Sequence, residues 1–206
     1  MNGTVILAAG DFPRKGGAAW KLLAGATRVV ACDSAADAYR RRLRRWPDVI
    51  VGDLDSLSRL PSRVSCPPTL VHSPDQNTND LEKAMAYCAQ QGWRNPVIVG
   101  ATGKREDHSL GNVFRALAYN CTIVTDHGRF IPVRDKATLI VAKGAAISIF
   151  APDPKTRMTS KGLQWPLAPV RFRNLYCATL NRATAARVTL TTTRPVSVFI
   201  EERKTR

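Results

Sequence analysis

The chain has 206 residues, with 31 Lys and Arg against 16 Asp and Glu, a formal net charge of +15. Its 44% hydrophobic and 23% charged residues, with 13 Gly and 13 Pro, exclude a disordered chain, a collagenous fibre and a low-complexity tract. The length allows one large domain or two small ones, with a core that needs no disulfide staples.

From the N-terminus to about residue 125, short apolar runs alternate with longer amphipathic segments, the rhythm of βαβ units. Strands are predicted at Thr4–Ala9, Arg28–Cys32, Asp48–Val51, Thr69–His72, Val97–Gly100 and Cys121–Thr125. The first apolar run is too short for a signal peptide, and no stretch approaches the ~18 apolar residues of a membrane span. Five scattered cysteines without a C-x-x-C pair read as thiols in a reducing compartment, so a cytoplasmic protein is expected.

Arg40, Arg41, Arg42, Arg44 and Arg45 form a basic cluster, either a solvated helix face or a track for phosphates. No RNP-like aromatic strand or zinc-finger spacing accompanies it, which favours the helix face over nucleic acid. Across Asn79–Gln91, Leu81, Met85 and Cys88 recur at helical spacing, Asn79 and Glu82 suit a capping box, and Gly92 suits the stop. Leu110, Val113, Phe114 and Leu117 predict a second helix from Asp107 onward.

Beyond residue 127 the period changes. Val188 and Leu190, then Val196, Val198 and Ile200, alternate with polar residues, and turn signals recur at Pro152, Pro154, Gly162, Pro166 and Pro195. The predicted architecture is α/β: a mostly parallel, Rossmann-like sheet flanked by helices over 1–126, then an antiparallel all-β sandwich over 127–206.

In P-D-V-I-V-G-D-L-D-S (47–56) an apolar strand ends at Gly52, and Asp53 and Asp55 are expected to point the same way, as side chains two apart in an extended chain do. Two adjacent carboxylates repel unless they share a hard cation such as Mg²⁺, and the position beyond a parallel strand favours that role over a plain turn. Asp75–Glu82, D-Q-N-T-N-D-L-E, suits either a helix cap or a polar or metal site around Asp80. In V-G-A-T-G-K-R-E-D-H (99–108), a glycine loop, Lys104, Arg105 and a helix start could cradle a polyphosphate, with Asp107 adding a carboxylate. The loop lacks the P-loop pattern, no G-x-G-x-x-G follows the first strand, and the three histidines form no metalloprotease or triad pattern.

Taken in order, A-C-D-S-A-A-D (31–37), P-D-V-I-V-G-D-L-D-S (47–56), D-Q-N-T-N-D-L-E-K-A (75–84), G-A-T-G-K-R-E-D-H-S-L-G-N (100–112) and G-L-Q-W-P-L (162–167) resemble the thiamine pyrophosphokinase family. The resemblance implies transfer of a diphosphoryl group from ATP to the hydroxyl of thiamine, with Mg²⁺ as cofactor. Asp53, Asp55 and Asp80 match the magnesium-associated acids, and Asp33 matches an acid beside the nucleotide. Asp107 matches the acid that organises metal or activates the hydroxyl. Gln76, Lys104, Arg105, His108 and Asn112 would line the nucleotide and phosphates, while Trp165 and Asn181 match the thiamine-binding segments. A homodimer with the site at its interface is also implied.

The chain departs from the family pattern at Ser34 and Asn79, at Lys104 where the family loop has Gly, and at Ala178-Thr179-Leu180-Asn181, where S-x-S-N is expected. The last change removes two hydroxyls near the implied thiamine site and allows weaker thiamine binding or a related pyrimidine–thiazole alcohol. Two other readings compete: a nucleotide-sugar transferase using the D-L-D motif for its metal, and a nucleic-acid-binding module built on the arginine cluster.

Overall fold

The computed structural model of the chain describes residues 3–55, 66–75 and 77–202. The chain divides into two compact units, Met1–Arg115 with Ile123–Asp126, and Ala116–Thr122 with His127–Arg206.

In the first unit, strands β1 (Thr4–Leu7), β2 (Arg28–Cys32), β3 (Val49–Gly52), β4 (Thr69–His72), β5 (Val97–Val99) and β6 (Thr122–Val124) stand in the order β6-β5-β1-β2-β3-β4. β1 pairs in parallel with both β2 and β5, β2 with β3, and β3 with β4. Helices cover the sheet: α1 (Ala18–Ala24), α2 (Ala35–Leu43), α3 (Asp80–Gln90) and α4 (Glu106–Ala118). Strands buried on both faces carry apolar residues without alternation, and Ile6, Leu7, Val30, Ala31 and Ile50 are completely buried. β4, at the edge, is largely exposed.

The chain leaves β1 for β2 on one side and later returns to β5 on the other. Strand order therefore reverses between β1 and β5, and the crevice beyond their carboxyl ends is the ligand-binding position of an open parallel sheet. The predicted Thr4–Ala9 strand stops at Leu7, because Gly10 and Asp11 turn to donate to the Gly100 and Thr102 carbonyls at 2.7 and 2.8 Å. A β-carbon at Gly10 would overlap the Thr102 carbonyl oxygen, so only glycine permits this approach.

The arginine cluster ends α2 with partners inside its own unit. Arg40 lies 3.9 Å from Asp37 and above the Trp46 ring, Arg42 faces Phe12, and Arg45 donates to the Ala24 carbonyl at 3.2 Å. Cations in the last turn of a helix also complement its dipole.

The second unit is a sandwich of two antiparallel sheets. One has β12 (Ala178–Arg182), β9 (Ala146–Phe150), β14 (Val196–Glu201) and β7 (Gly128–Val133), in that order. The other has β11 (Val170–Arg171), β10 (Arg157–Lys161), β13 (Arg187–Thr192) and β8 (Lys136–Ile140). Ile147, Ile149 and Val198 of the first meet Met158, Val188 and Leu190 of the second in one core, as the alternating pattern predicts. Among the described residues no helix is long and apolar enough to cross a membrane.

Candidate active site

At the carboxyl end of β2, Asp33 follows Cys32 with φ 28°, and its N–H donates to the Val51 carbonyl at 2.9 Å. Asp53 and Asp55 follow the end of the neighbouring β3. One oxygen from each of the three carboxylates lies within 4.8 Å of the others. The segment is not extended as the sequence suggested. Leu54 takes a left-handed conformation, φ 65°, and this turn brings Asp53 and Asp55 together with Asp33. Three carboxylate oxygens are the donor set of a hard divalent cation.

A cleft of about 300 Å³ opens at the switch point; Cys32, the residue before Asp33, lines it, whereas Asp33, Asp53 and Asp55 do not. Its walls come from Ala8–Gly10 after β1, Cys32, the start of α3 at Asn79–Leu81, the loop after β5, and His108 and Asn112 of α4. Asn112 braces it: buried, it donates to the Ala101 carbonyl at 2.9 Å and accepts from Asn79 Nδ2 at 3.1 Å. Asn79 also caps α3, its Oδ1 accepting from the Glu82 N–H at 2.9 Å. Glu82 leaves the predicted box open and accepts from Arg115 at 2.9 Å instead.

Asp80 lines the cleft but is not in the three-carboxylate group. Its Oδ1 lies 3.3 Å from Nζ of Lys83, whose side chain is only 6% exposed. Sequence reasoning passed over Lys83. The available signal was a lysine three residues after Asp80, adjoining the apolar stripe of α3. Cys32, buried between these groups, has its thiol pKa pushed up by desolvation first, then by Asp80, Cys88 and Asp33. It stays a neutral thiol, unsuited to nucleophilic work.

The loop after β5 supplies cations. Lys104, φ 55°, donates from Nζ to the Ala9 carbonyl at 2.7 Å, tying this loop to the one after β1. Gly103, φ 81°, leaves room for the Asp11 carboxylate, which a β-carbon there would overlap. Arg105 forks onto Asp107 through Nε at 3.1 Å and Nη2 at 2.7 Å. That hydrogen bonding holds the Asp107 carboxyl down at about 2. Asp75 accepts from the Asn77 N–H and the Thr78 hydroxyl, which lowers its pKa as well. Gln76 lies outside the described residues.

In the second unit, Trp165 is 55% exposed and Asn181 is buried beneath its backbone. Of the two positions lacking the expected hydroxyls, Ala178 is 4% exposed and Leu180 is 82% exposed, so only the second changes the surface.

Residues 19–125 match the family model described as thiamin pyrophosphokinase, catalytic domain, and 128–199 the one described as thiamin pyrophosphokinase, substrate-binding domain. The chain belongs to the thiamin pyrophosphokinase family. Thiamin pyrophosphokinase 1 of Caenorhabditis elegans is 28% identical over 121 residues, 55% of this chain and 47% of that protein. Thiamine pyrophosphokinase 1 of Arabidopsis thaliana is 29% identical over 157 residues, 66% of this chain and 58% of that one. The chain thus spans about half the length of these curated relatives. The fold is shared with the crystal structure of a thiamin pyrophosphokinase family protein from Enterococcus faecalis, at TM-score 0.78, 16% identity and 98% and 100% coverage of the two chains. Thiamin pyrophosphokinase from Candida albicans superposes at TM-score 0.77 with 14% identity, covering 98% and 90%.

Proposed function

We propose that the protein transfers the diphosphoryl group of ATP to the hydroxyl of thiamine, giving thiamine diphosphate and AMP. The observation that carries this reading is the convergence of Asp33, Asp53 and Asp55 at the carboxyl ends of β2 and β3, the same edge of the sheet at which a switch-point cleft, reached by Cys32, is walled by Lys104, Arg105 and His108. An acidic group beside a basic loop suits a polyphosphate that arrives with a divalent cation.

Asp33, Asp53 and Asp55 are the residues that would hold Mg²⁺, and their all-oxygen donor set fits that ion. Bound there, Mg²⁺ would neutralise charge on the phosphate oxygens. Asp80, the third metal acid implied by resemblance, has a different place in this reading: ion-paired with Lys83, it lines the cleft wall. Lys104 and Arg105 orient the phosphates from the opposite loop. Both donors of the Arg105 fork rest on the Asp107 carboxylate, so its part in this reading is to aim Arg105. The hydroxyl oxygen forms a bond to the β-phosphorus, the bond from that phosphorus to the oxygen bridging the α-phosphate breaks, AMP leaves with that oxygen and its electron pair, and the hydroxyl proton passes to a phosphate oxygen or to water. In-line positioning of the two oxygens is the protein's main task in such a transfer.

Trp165 offers an exposed indole face to the aromatic cation of thiamine. The reading includes a homodimer, which light scattering tests, and a cytoplasmic site of action, with which five free thiols accord.

The test is incubation with ATP, Mg²⁺ and thiamine, followed by chromatography. Thiamine diphosphate and AMP in equal amounts are expected, and Asp53→Asn or Asp55→Asn should cut both by at least about 100-fold with the fold intact. Absence of AMP from the unaltered protein, or full activity in both variants, defeats the reading.

A further inference from the structure

Residues 163–165 run antiparallel to 181–183. Leu163 and Ala183 form an isolated bridge, and the Gln164 N–H donates to the Arg182 carbonyl at 2.9 Å. At Trp165 this pairing changes character. Its N–H donates to Asn181 Oδ1 at 3.2 Å, and its carbonyl accepts from Asn181 Nδ2 at 2.8 Å. A carboxamide presents a donor and an acceptor as a peptide unit does, so this side chain stands in for a strand partner. Oδ1 also accepts from the Arg182 N–H at 2.8 Å.

The amide is therefore engaged on both its oxygen and its nitrogen, and Asn181 is 3% exposed. It sits under the Trp165 backbone, while the Trp165 side chain remains 55% exposed. An independent feature lies one residue away. The register of β12 against β9 shifts between Ala178 and Asn181, and in that irregularity Leu180 has φ 61° and is 82% exposed. Leucine reaches the left-handed region only at a cost, and neither exposed apolar side chain serves the core of its own unit. A buried polar clamp and a strained bulge at one place present large side chains outward, where packing alone would turn them in.

We propose that Asn181 is a positioning residue for the thiamine ring: it acts by clamping the Trp165 backbone so that the indole is held in one orientation, and not by touching the substrate. This deepens the reading above and rests on it. It reassigns Asn181 from ligand contact to scaffold, and leaves Leu180 as the surface change next to the clamp.

The experiment combines steady-state kinetics with ¹⁹F NMR of protein labelled with 5-fluorotryptophan, the Trp165 resonance being assigned with Trp165→Phe. In Asn181→Ala the Trp165 resonance should shift or broaden while those of Trp20, Trp46 and Trp93 stay in place. The KM for thiamine should rise about tenfold or more. The KM for ATP should stay within about twofold, which separates loss of ring positioning from general damage. Asn181→Asp keeps the acceptor but sets an oxygen against the Trp165 carbonyl, so its thiamine KM should also rise while that for ATP stays within about twofold; it carries the test if the alanine variant does not fold. An unmoved Trp165 resonance, or thiamine and ATP KM values rising together, overturns the proposal. If the unaltered protein turns over thiamine and both variants match its thiamine KM, the proposal alone fails. If the unaltered protein forms no AMP, the functional reading fails and takes the proposal with it.

Discussion

A β-carbon built on Gly52 would lie 2.8 Å from Cβ of Asp33, so the acid at the end of β2 is seated against bare backbone at the end of β3. With Asp33 also hydrogen-bonded to Val51 at 2.9 Å, its carboxylate is held beside those of Asp53 and Asp55. The glycine of the G-D-L-D motif is a requirement of that contact.

We predict that Gly52→Ala displaces Asp33 and lowers AMP formation about 100-fold. Relief of the contact should also cost about 1–3 kcal/mol of stability. Kinetics at varied Mg²⁺, set beside thermal unfolding, checks both. An alanine variant with unaltered Mg²⁺ requirement and rate would show that the seat of Asp33 is unimportant.

The Asp80–Lys83 pair predicts an asymmetry. Lys83 is 6% exposed in its side chain and Asp80 33%. Asp80→Asn leaves a buried ammonium without its counter-ion, at about 3 kcal/mol. Lys83→Met leaves a carboxylate that water still reaches, at about 1 kcal/mol. Denaturant unfolding of the two variants measures the difference, and an equal or reversed order would contradict the burial argument.

The Arg105–Asp107 fork predicts a pH response. Arg105 lowers the Asp107 carboxyl from 3.8 to about 2. A depressed folded-state value stabilises above the ordinary carboxylate range and is lost as pH falls through about 2. Both partners are exposed, so the effect on stability is small. NMR titration of the carboxyl carbon should give a midpoint near 2, returning in Arg105→Met toward the ordinary value of about 4. Any activity loss between about pH 5 and 8 then belongs to another group. A midpoint near 4 in the unaltered protein would refute the pairing.

Much of the fold was legible because its signals are local. Strands in the first unit are continuous apolar runs, and α3 declares itself through Asn79 and a stripe of Leu81, Met85 and Cys88. Helices α1 and α2 were less distinct, since neither has a side-chain cap. The acids were legible as candidates, but their grouping was not: Asp33 and Asp53 are twenty positions apart, and only the parallel pairing of β2 with β3 brings them together. Lys83 was missed for a related reason, since burial of a charge depends on what packs around it.

Residue type and spacing alone gave the strands of the first unit and helices α3 and α4, the passage from a mostly parallel α/β part to an antiparallel β part, and the motifs that carry the family likeness. Tertiary structure decided which acids share a site, that Asp80 pairs with Lys83, that Arg105 holds Asp107, and that Asn181 serves the backbone of Trp165. The reason is physical: hydrophobic period and capping act over a few residues, whereas a carboxylate's partners are set by strand order and loop closure, which bring distant parts of the chain within hydrogen-bonding range.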